Sequence, residues 1–372
     1  TSYNKEERSI FINFKVKSYL KLITNILLTS IGLSVLLGTF LRISGPINQS
    51  NQINKVIRPV GKSKRSFEKE LLSRKSNLSL FYNDKLQRFE RLDELTKKWE
   101  NLIVKHPDLN VSAFFLSLDN EVYAEIKSDI KLSAASSIKV PILIVLLRML
   151  EKEEIFWNEK LILTEDLIGS GSGWMAYQEI GEGFHVFEVA SEMIRVSDNT
   201  ATNLLIKRIG GINMINQKFK EIGLKNTKIN NYLPDLDGTN LTSTKDLSLA
   251  IALVDKGYLL NVRSRDIFRE IMQKSKTNTL IPSGILRGLG KKSPDIDYHL
   301  SLKGYLVHNK TGDIGISYSD TALIQTPHNS KAFASFIVKG PFNDPRSPEL
   351  IRNLSAELVP FLVPDQKSSN QN

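Results

Sequence analysis

The chain has 372 residues, enough for one large domain or two ordinary ones, and its 41% hydrophobic content supplies a substantial core. It contains no cysteine, which excludes disulfides and a thiolate nucleophile, and its five histidines are scattered without metal-ligand spacing. The net charge of +10 belongs to residues 1–83, where 14 Lys or Arg face 4 Glu, so residues 84–372 carry no net charge, which argues against a nucleic-acid face on the globular part.

Residues 1–21 form a basic N-terminal segment ending in Lys15, Lys17 and Lys21. Residues 22–41, LITNILLTSIGLSVLLGTFL, carry no charge, and twenty such residues span a hydrocarbon core as a helix. A cleaved signal peptide is the rival reading. The apolar run is long for one and no A-x-A-like site follows, so the sequence predicts an uncleaved transmembrane anchor. Arg42, Lys55, Arg58 and Lys62 follow closely, so the positive-inside count barely separates the two orientations. Residues 42–83 are polar and basic and read as a linker.

From Asp84 the pattern changes. Leu86, Phe89, Leu92, Leu95 and Trp99 recur at helical spacing, which predicts an amphipathic helix over 84–105. Val111–Leu118 and Glu121–Ile126 read as strands of a hairpin around Asp119-Asn120. Helices are predicted over 187–196, 200–209, 212–222, 245–256 and 264–274, strands over 302–309, 316–326 and 332–339, and a final helix over 347–362. Strands at both ends with helices between them predict one antiparallel sheet built from the two ends. The domain over 84–365 then has a sheet lobe (84–130 and 300–365) and an inserted helical lobe (131–299), with a cleft between them as the default site. Residues 366–372 are a polar tail.

Ser133–Glu154, SAASSIKVPILIVLLRMLEKEE, is the pivot. Val140–Met149 is apolar nearly all round, with Arg148 its only charge, which marks a buried helix. Ser136 and Lys139 stand at i and i+3 at its N-terminal edge, so a hydroxyl and an amine become neighbours where backbone N–H groups point outward. A serine needs an adjacent base to act as a nucleophile, and a desolvated lysine can lose its proton near neutrality. Pro141 alone would delay the helix start to about Val140. An N-cap serine is the plainer reading of the pair by itself.

Two more clusters follow in chain order: Ser197-Asp198-Asn199 before TATNLLI, and Lys310-Thr311-Gly312 at the end of the strand YLVHN. Alone, each reads as a helix cap or a turn. Together, S-x-x-K, S-D-N and K-T-G in this order resemble class A β-lactamases and their penicillin-recognising serine hydrolase relatives, over about Asp84 to Leu362. The resemblance implies an α+β fold: an α/β sandwich lobe with a five-stranded antiparallel sheet, plus an all-helical lobe. It implies that Ser136 is acylated, that Lys139 is or positions the base, and that Ser197 passes the proton to the leaving nitrogen. It places Asn199 on a substrate amide carbonyl, Lys310 as a source of positive potential, and Thr311 on the substrate carboxylate. Gly312 completes the substrate edge, and the amides of Ser136 and Asp313 form the oxyanion hole. Asp198 reads as structural. No cofactor or metal is implied. The resemblance implies a β-lactam or a cell-wall peptide as substrate, and together with the 22–41 stretch it predicts a monomer held in a bacterial inner membrane by its single N-terminal helix, with the domain in the periplasm.

One departure matters. Class A enzymes deacylate through a glutamate on the loop that here reads INNYLPDLDGTNLT, Ile229–Thr242, and that position falls on Leu233. Leucine cannot activate water. Asp235 and Asp237 are the substitutes within the loop. The strand Tyr318–Thr326 also lacks the arginine that many class A enzymes place there. Three readings stay open: a β-lactamase-type hydrolase with slow turnover, a penicillin-binding-protein-like D,D-peptidase, and a non-hydrolytic wall-binding module.

Overall fold

The structure, a computed structural model, describes residues 88–362. The chain enters through a two-residue strand, β1 (Glu90–Arg91), and helix α1 (Asp93–Ile103), then forms strands β2 (Asn110–Ser117) and β3 (Val122–Ile126). A short strand β4 (Leu132–Ser133) and a 3-10 turn, Ala135–Ile138, lead into helix α2 (Lys139–Glu151). Next come the small hairpin of β5 (Lys160–Ile162) and β6 (Gly183–His185), and helices α3 (Val186–Arg195), α4 (Asn199–Ile209) and α5 (Gly211–Glu221). A long loop closes on β7 (Leu241–Thr242), followed by α6 (Thr244–Asp255), α7 (Val262–Gln273), α8 (Ile281–Gly288) and α9 (Ile296–Leu302). The chain returns as β8 (Leu306–Asp313), β9 (Ser317–Gln325) and β10 (Lys331–Lys339) and ends its described part in α10 (Arg346–Ala356) and a 3-10 turn.

The two ends do pair. The sheet order is β1-β3-β2-β10-β9-β8, and β10 runs antiparallel to β2 from Ala332↔Ser117 to Lys339↔Asn110. Five strands are antiparallel, as expected. The sixth, β1, lies parallel on β3 because Glu90 N and Leu92 N donate to the carbonyls of Glu121 and Tyr123. Within the described residues that pairing takes up 90–91 and the helix starts at Asp93, where Asp93 and Glu94 put negative charge in its first turn. Both sheet faces are buried. Val111, Ala113 and Phe115 of β2 pack with α1, α8 and α10, where Trp99 meets Phe336 edge-on at 5.5 Å and donates its Nε1–H to Leu354 O at 2.9 Å. Phe114 and Leu116 face the helical lobe built round α2.

Two boundaries differ from the sequence reading. Residues 281–302 fold as α8 and α9 against α10, so they extend the sheet lobe rather than the helical one. Asp295 caps α9 and keeps 296–302 helical, which moves the following strand to 306–313 and puts Lys310-Thr311-Gly312 inside the strand instead of after it. The basic segment, the 22–41 anchor, the linker to residue 83 and the 366–372 tail lie outside the described residues. Among the described residues no helix is long and apolar enough to cross a membrane.

Candidate active site

Ser136 sits in the 3-10 turn that feeds α2, half-buried and facing a cleft. Pro141 does not delay the helix. It falls in the first turn, where its missing N–H leaves no helical bond unmade, so α2 starts at Lys139. The turn is stapled from its flanks. Ser319 Oγ and Ser137 Oγ donate to Ala134 O at 2.8 and 2.6 Å, Ser317 Oγ donates to Ser133 O at 3.0 Å, and Ala134 N donates to Asn240 O at 2.8 Å. These bonds hold Ala135 at φ +46°, a left-handed conformation that alanine adopts only under constraint.

Lys139 is fully buried, and its amine joins the motifs. Its Nζ lies 3.1 Å from Ser136 Oγ, 3.0 Å from Ser197 Oγ, 2.6 Å from Ser197 O and 2.9 Å from Asn199 Oδ1. Two of these partners, the carbonyl and the amide oxygen, can only accept. A neutral amine has two N–H groups, which satisfy those two, and one lone pair, which is left for a hydroxyl proton. Burial first, and then the charge of Lys310, push the Lys139 amine well below the ordinary lysine value, against the pull of Asp198. Geometry and electrostatics thus agree on a lysine that can take a proton from Ser136.

Asp198 is structural, as the sequence suggested. Its Oδ1 caps α4 by accepting from Ala201 N at 2.8 Å, and its Oδ2 accepts from Trp174 N at 2.7 Å and Met175 N at 2.9 Å. Gly173, at φ +89°, lets that loop approach, since a Cβ there would overlap the Asp198 carboxylate. Trp174 also donates its Nε1–H to Glu192 Oε2 at 2.7 Å. Asn199 spends its Oδ1 on Lys139, one Nδ2–H on Ser170 O at 2.8 Å and its backbone N–H on Ser172 O at 3.1 Å, which leaves one amide proton free for a ligand.

The fourth wall is β8. Thr311 and Asp313 line the cleft, and a Cβ on Gly312 would overlap the Ser136 backbone nitrogen, so glycine lets the strand lie against the turn. Lys310 is fully buried, with its Nζ donating to Thr311 O at 2.6 Å, and burial brings its pKa down to about 7 against the opposing field of Asp320. The cleft itself, about 240 Å3, is lined by Ser136, Ser197, Asn199, Thr311 and the loop residues Leu233 and Leu236 among others.

On that loop, Leu233 is buried and faces the cleft. Asn203 grips its backbone on both sides: Asn203 Oδ1 accepts from Leu233 N at 2.8 Å, and Asn203 Nδ2 donates to Leu233 O at 2.7 Å. The two aspartates of the loop differ in placement, and Asp235 lines the cleft. Asp235 spends both carboxylate oxygens inside the loop, accepting from Thr239 N at 3.1 Å, Thr239 Oγ1 at 2.7 Å and Asn240 N at 2.6 Å. Asp237 is exposed and does not line the cleft. The structure therefore gathers Ser136, Lys139, Ser197, Asn199, Thr311, Gly312 and Asp313, sets Lys310 directly behind them, keeps Asp235 in the cleft wall with its oxygens bonded within the loop, and leaves Asp237 outside. Sequence reasoning missed Asn203. Asn203 stands four residues after Asn199 on the same helix face, a spacing that could have exposed it.

A serine whose hydroxyl meets a buried amine, with a second serine on the same amine and a second buried lysine behind the cleft, defines a serine acyl-transfer enzyme of the S-x-x-K type. The comparisons agree. The family described as the beta-lactamase enzyme family matches residues 94–362, and the chain belongs to it, as a serine hydrolase of β-lactamase type. Beta-lactamase BRO-1 of Moraxella catarrhalis is 26% identical over 73% of this chain and 84% of its own. A beta-lactamase of Bacillus licheniformis is 27% identical over 66% and 74%. Among solved structures, PBP-A matches with TM-score 0.68 and 37% identity over 73% of this chain and 97% of its own. A leucine-to-glutamate mutant of PBP-A, solved as an acyl-enzyme complex with penicillin G, matches with TM-score 0.67 and 36% identity over the same shares.

Proposed function

We propose that this enzyme is acylated at Ser136 by β-lactams, opens their amide bond, and releases the product slowly because Leu233 stands where a deacylating base is needed. The observation that carries this reading is the Lys139 amine, in contact with both Ser136 Oγ and Ser197 Oγ. Ser136 Oγ attacks the lactam carbonyl while its proton passes to Lys139. The oxyanion forms against the amides of Ser136 and Asp313, where preorganised donors stabilise it. Ser197, on the same amine, relays the proton to the departing nitrogen, so Lys139 ends neutral. Lys310 and Thr311 hold the substrate carboxylate, and the free amide proton of Asn199 binds the acyl side-chain carbonyl. Hydrolysis of the ester then needs an activated water. Leu233 supplies no base, and the carboxylate of Asp235 is committed to its loop.

Intact-mass spectrometry with penicillin G over time tests this. One penicillin mass should add to the protein, persist, and be absent in Ser136→Ala. Rapid clearance of the adduct would refute the slow-turnover half, and no adduct with any β-lactam would refute the whole.

A second reading, acyl transfer on cell-wall stem peptides, is favoured by Leu233 together with the 37% identity to PBP-A, against 26–27% to the two β-lactamases. Release of terminal D-alanine from a stem-peptide analogue would favour it. The charge-free 22–41 stretch supports a membrane tether, and the proposal puts the domain in the periplasm, where β-lactams and wall precursors are met. Protection of the domain from protease added to intact spheroplasts would contradict that placement.

A further inference from the structure

Strand β8 gives the cleft a direction. A Cβ on Gly312 would overlap the Ser136 nitrogen, so the reacting carbonyl lies level with Gly312. Thr311 stands on one side of that level and Asp313 on the other, and residues two apart share a strand face, so both line the cleft. With the substrate carboxylate at Thr311, the acyl side of the scissile amide has to run the other way, towards Asp313. At that end Ile314 lines the cleft beside Asp313, and Leu236 lines it from the loop. A Cβ on Gly238 would lie 3.2 Å from Ile314 Cδ1, so the loop comes down on this end of the cleft.

The charged residues that line the cleft are Asp235 and Asp313, both acids. Asp235 has its two oxygens bonded within the loop. Asp313 is exposed, and among the described residues its carboxylate makes one bond: Oδ1 accepts from Gly315 N at 2.8 Å. That bond draws the carboxylate along the chain, away from the level of Ser136, and its donor is neutral. Among the described residues Oδ2 has no partner. A carboxylate here repels an anionic substrate, and works against capture unless the substrate brings a cation to it. We infer that Asp313 is a specificity-determining residue whose carboxylate receives an ammonium group on the acyl side of the substrate, so that the cleft favours zwitterionic acyl donors over purely anionic ones. One end of such a substrate carries the carboxylate held at Thr311, and the other carries the cation.

The inference rests on the acylation reading above for its kinetic side. The test compares ampicillin with benzylpenicillin, which differ by one α-amino group on the acyl side chain, at pH 6, where that amine is protonated. The readout is the ratio of their second-order acylation rates, by intact-mass spectrometry, for the wild type and Asp313→Asn. Asparagine keeps an oxygen for Gly315 N and keeps the backbone amide, so any effect on the oxyanion hole falls on both penicillins and cancels in the ratio. The ampicillin-to-benzylpenicillin ratio should fall about three- to fivefold in the variant, the worth of an exposed ion pair. The difference between the two proteins should shrink in 1 M salt, where the screening length is about 3 Å. The same ratio in both proteins, or a fall that salt leaves unchanged, would each overturn the inference. Asp313→Ser, whose hydroxyl also accepts from Gly315 N, repeats the test if the asparagine variant is insoluble. A readout independent of acylation is calorimetric binding of the two penicillins to Ser136→Ala and to Ser136→Ala with Asp313→Asn. The affinity for ampicillin relative to benzylpenicillin should fall by the same factor. If it does so while the wild type forms no adduct with either penicillin, the acylation reading fails and the role of Asp313 stands. If Ser136→Ala binds neither penicillin, or the second substitution leaves the relative affinity unchanged, the inference is wrong whatever the kinetics.

Discussion

Replacing Leu233 with glutamate separates capture from turnover. General-base assistance is typically worth ~10²–10⁴-fold, or about 2.7–5.4 kcal/mol on the deacylation barrier. Against that gain, the variant gives up the burial of a leucine side chain, about 2 kcal/mol, and places a carboxylate in a largely buried wall. The loop backbone should hold, because the Asn203 clamp grips Leu233 only through its N–H and C=O. A new carboxylate would also hold a proton on the buried Lys139 more tightly, so acylation should slow at a given pH while deacylation quickens. The net expectation is an acyl-enzyme lifetime shortened by about 10²-fold. The assay is intact-mass spectrometry: load with penicillin G, remove excess ligand, and follow the adduct. An unchanged lifetime, in a variant that still acylates and melts within a few degrees of the wild type, would show that the missing base does not limit turnover.

Asp235→Ala should destabilise the loop and disturb acylation itself, since losing a buried carboxylate leaves three donors unpaired, whereas Asp237→Ala should change neither adduct formation nor lifetime. Both are read in the same mass assay with a thermal melt. Gly312→Ala should cut the acylation rate by about 10²–10³-fold, the worth of one oxyanion donor, because the new methyl group overlaps the Ser136 amide; near-wild-type acylation would disprove that placement. Asp255 is buried and bonds Arg269 at 2.6 Å and Lys331 at 2.9 Å; burial raises its pKa, but these two cations outweigh burial and hold it below the usual carboxylate range. A depressed folded pKa means stability present above the unfolded value and lost as pH falls through the folded one. Asp255→Asn should therefore lose about 1–3 kcal/mol at pH 7, the partners being about a third exposed, and the gap from the wild type should close towards pH 3 in urea melts.

The order of the three motifs was legible because each is contiguous and each sits at an element edge that periodicity finds. The pairing of the chain ends followed from strands at both termini with helices between, and β2 against β10 bears it out. What escaped was held by contacts that no local pattern encodes. The strand β1 is two residues long and exists only through the carbonyls of Glu121 and Tyr123. Helix α9 interrupts a polar stretch, GKKSPDIDYHLSL, whose few apolar residues give a weak helical period, so the strand was begun four residues early. Asp235 reads as a candidate base in sequence because its type is right, yet the fold turns its oxygens onto Thr239 and Asn240. Asn203 acts through Leu233, 30 positions away, a distance that only the closed structure brings together.

Lys139 contributes its amine to chemistry by being kept out of water, and a buried ammonium or amine is a standing burden on the folded state. A methionine at the same position would fill similar volume with no group to desolvate. Directed evolution of this protein for heat resistance alone would therefore be drawn towards losing Lys139, and the survivors of such a screen would be sturdier and inert. Any search for robust variants has to select for adduct formation in the same round.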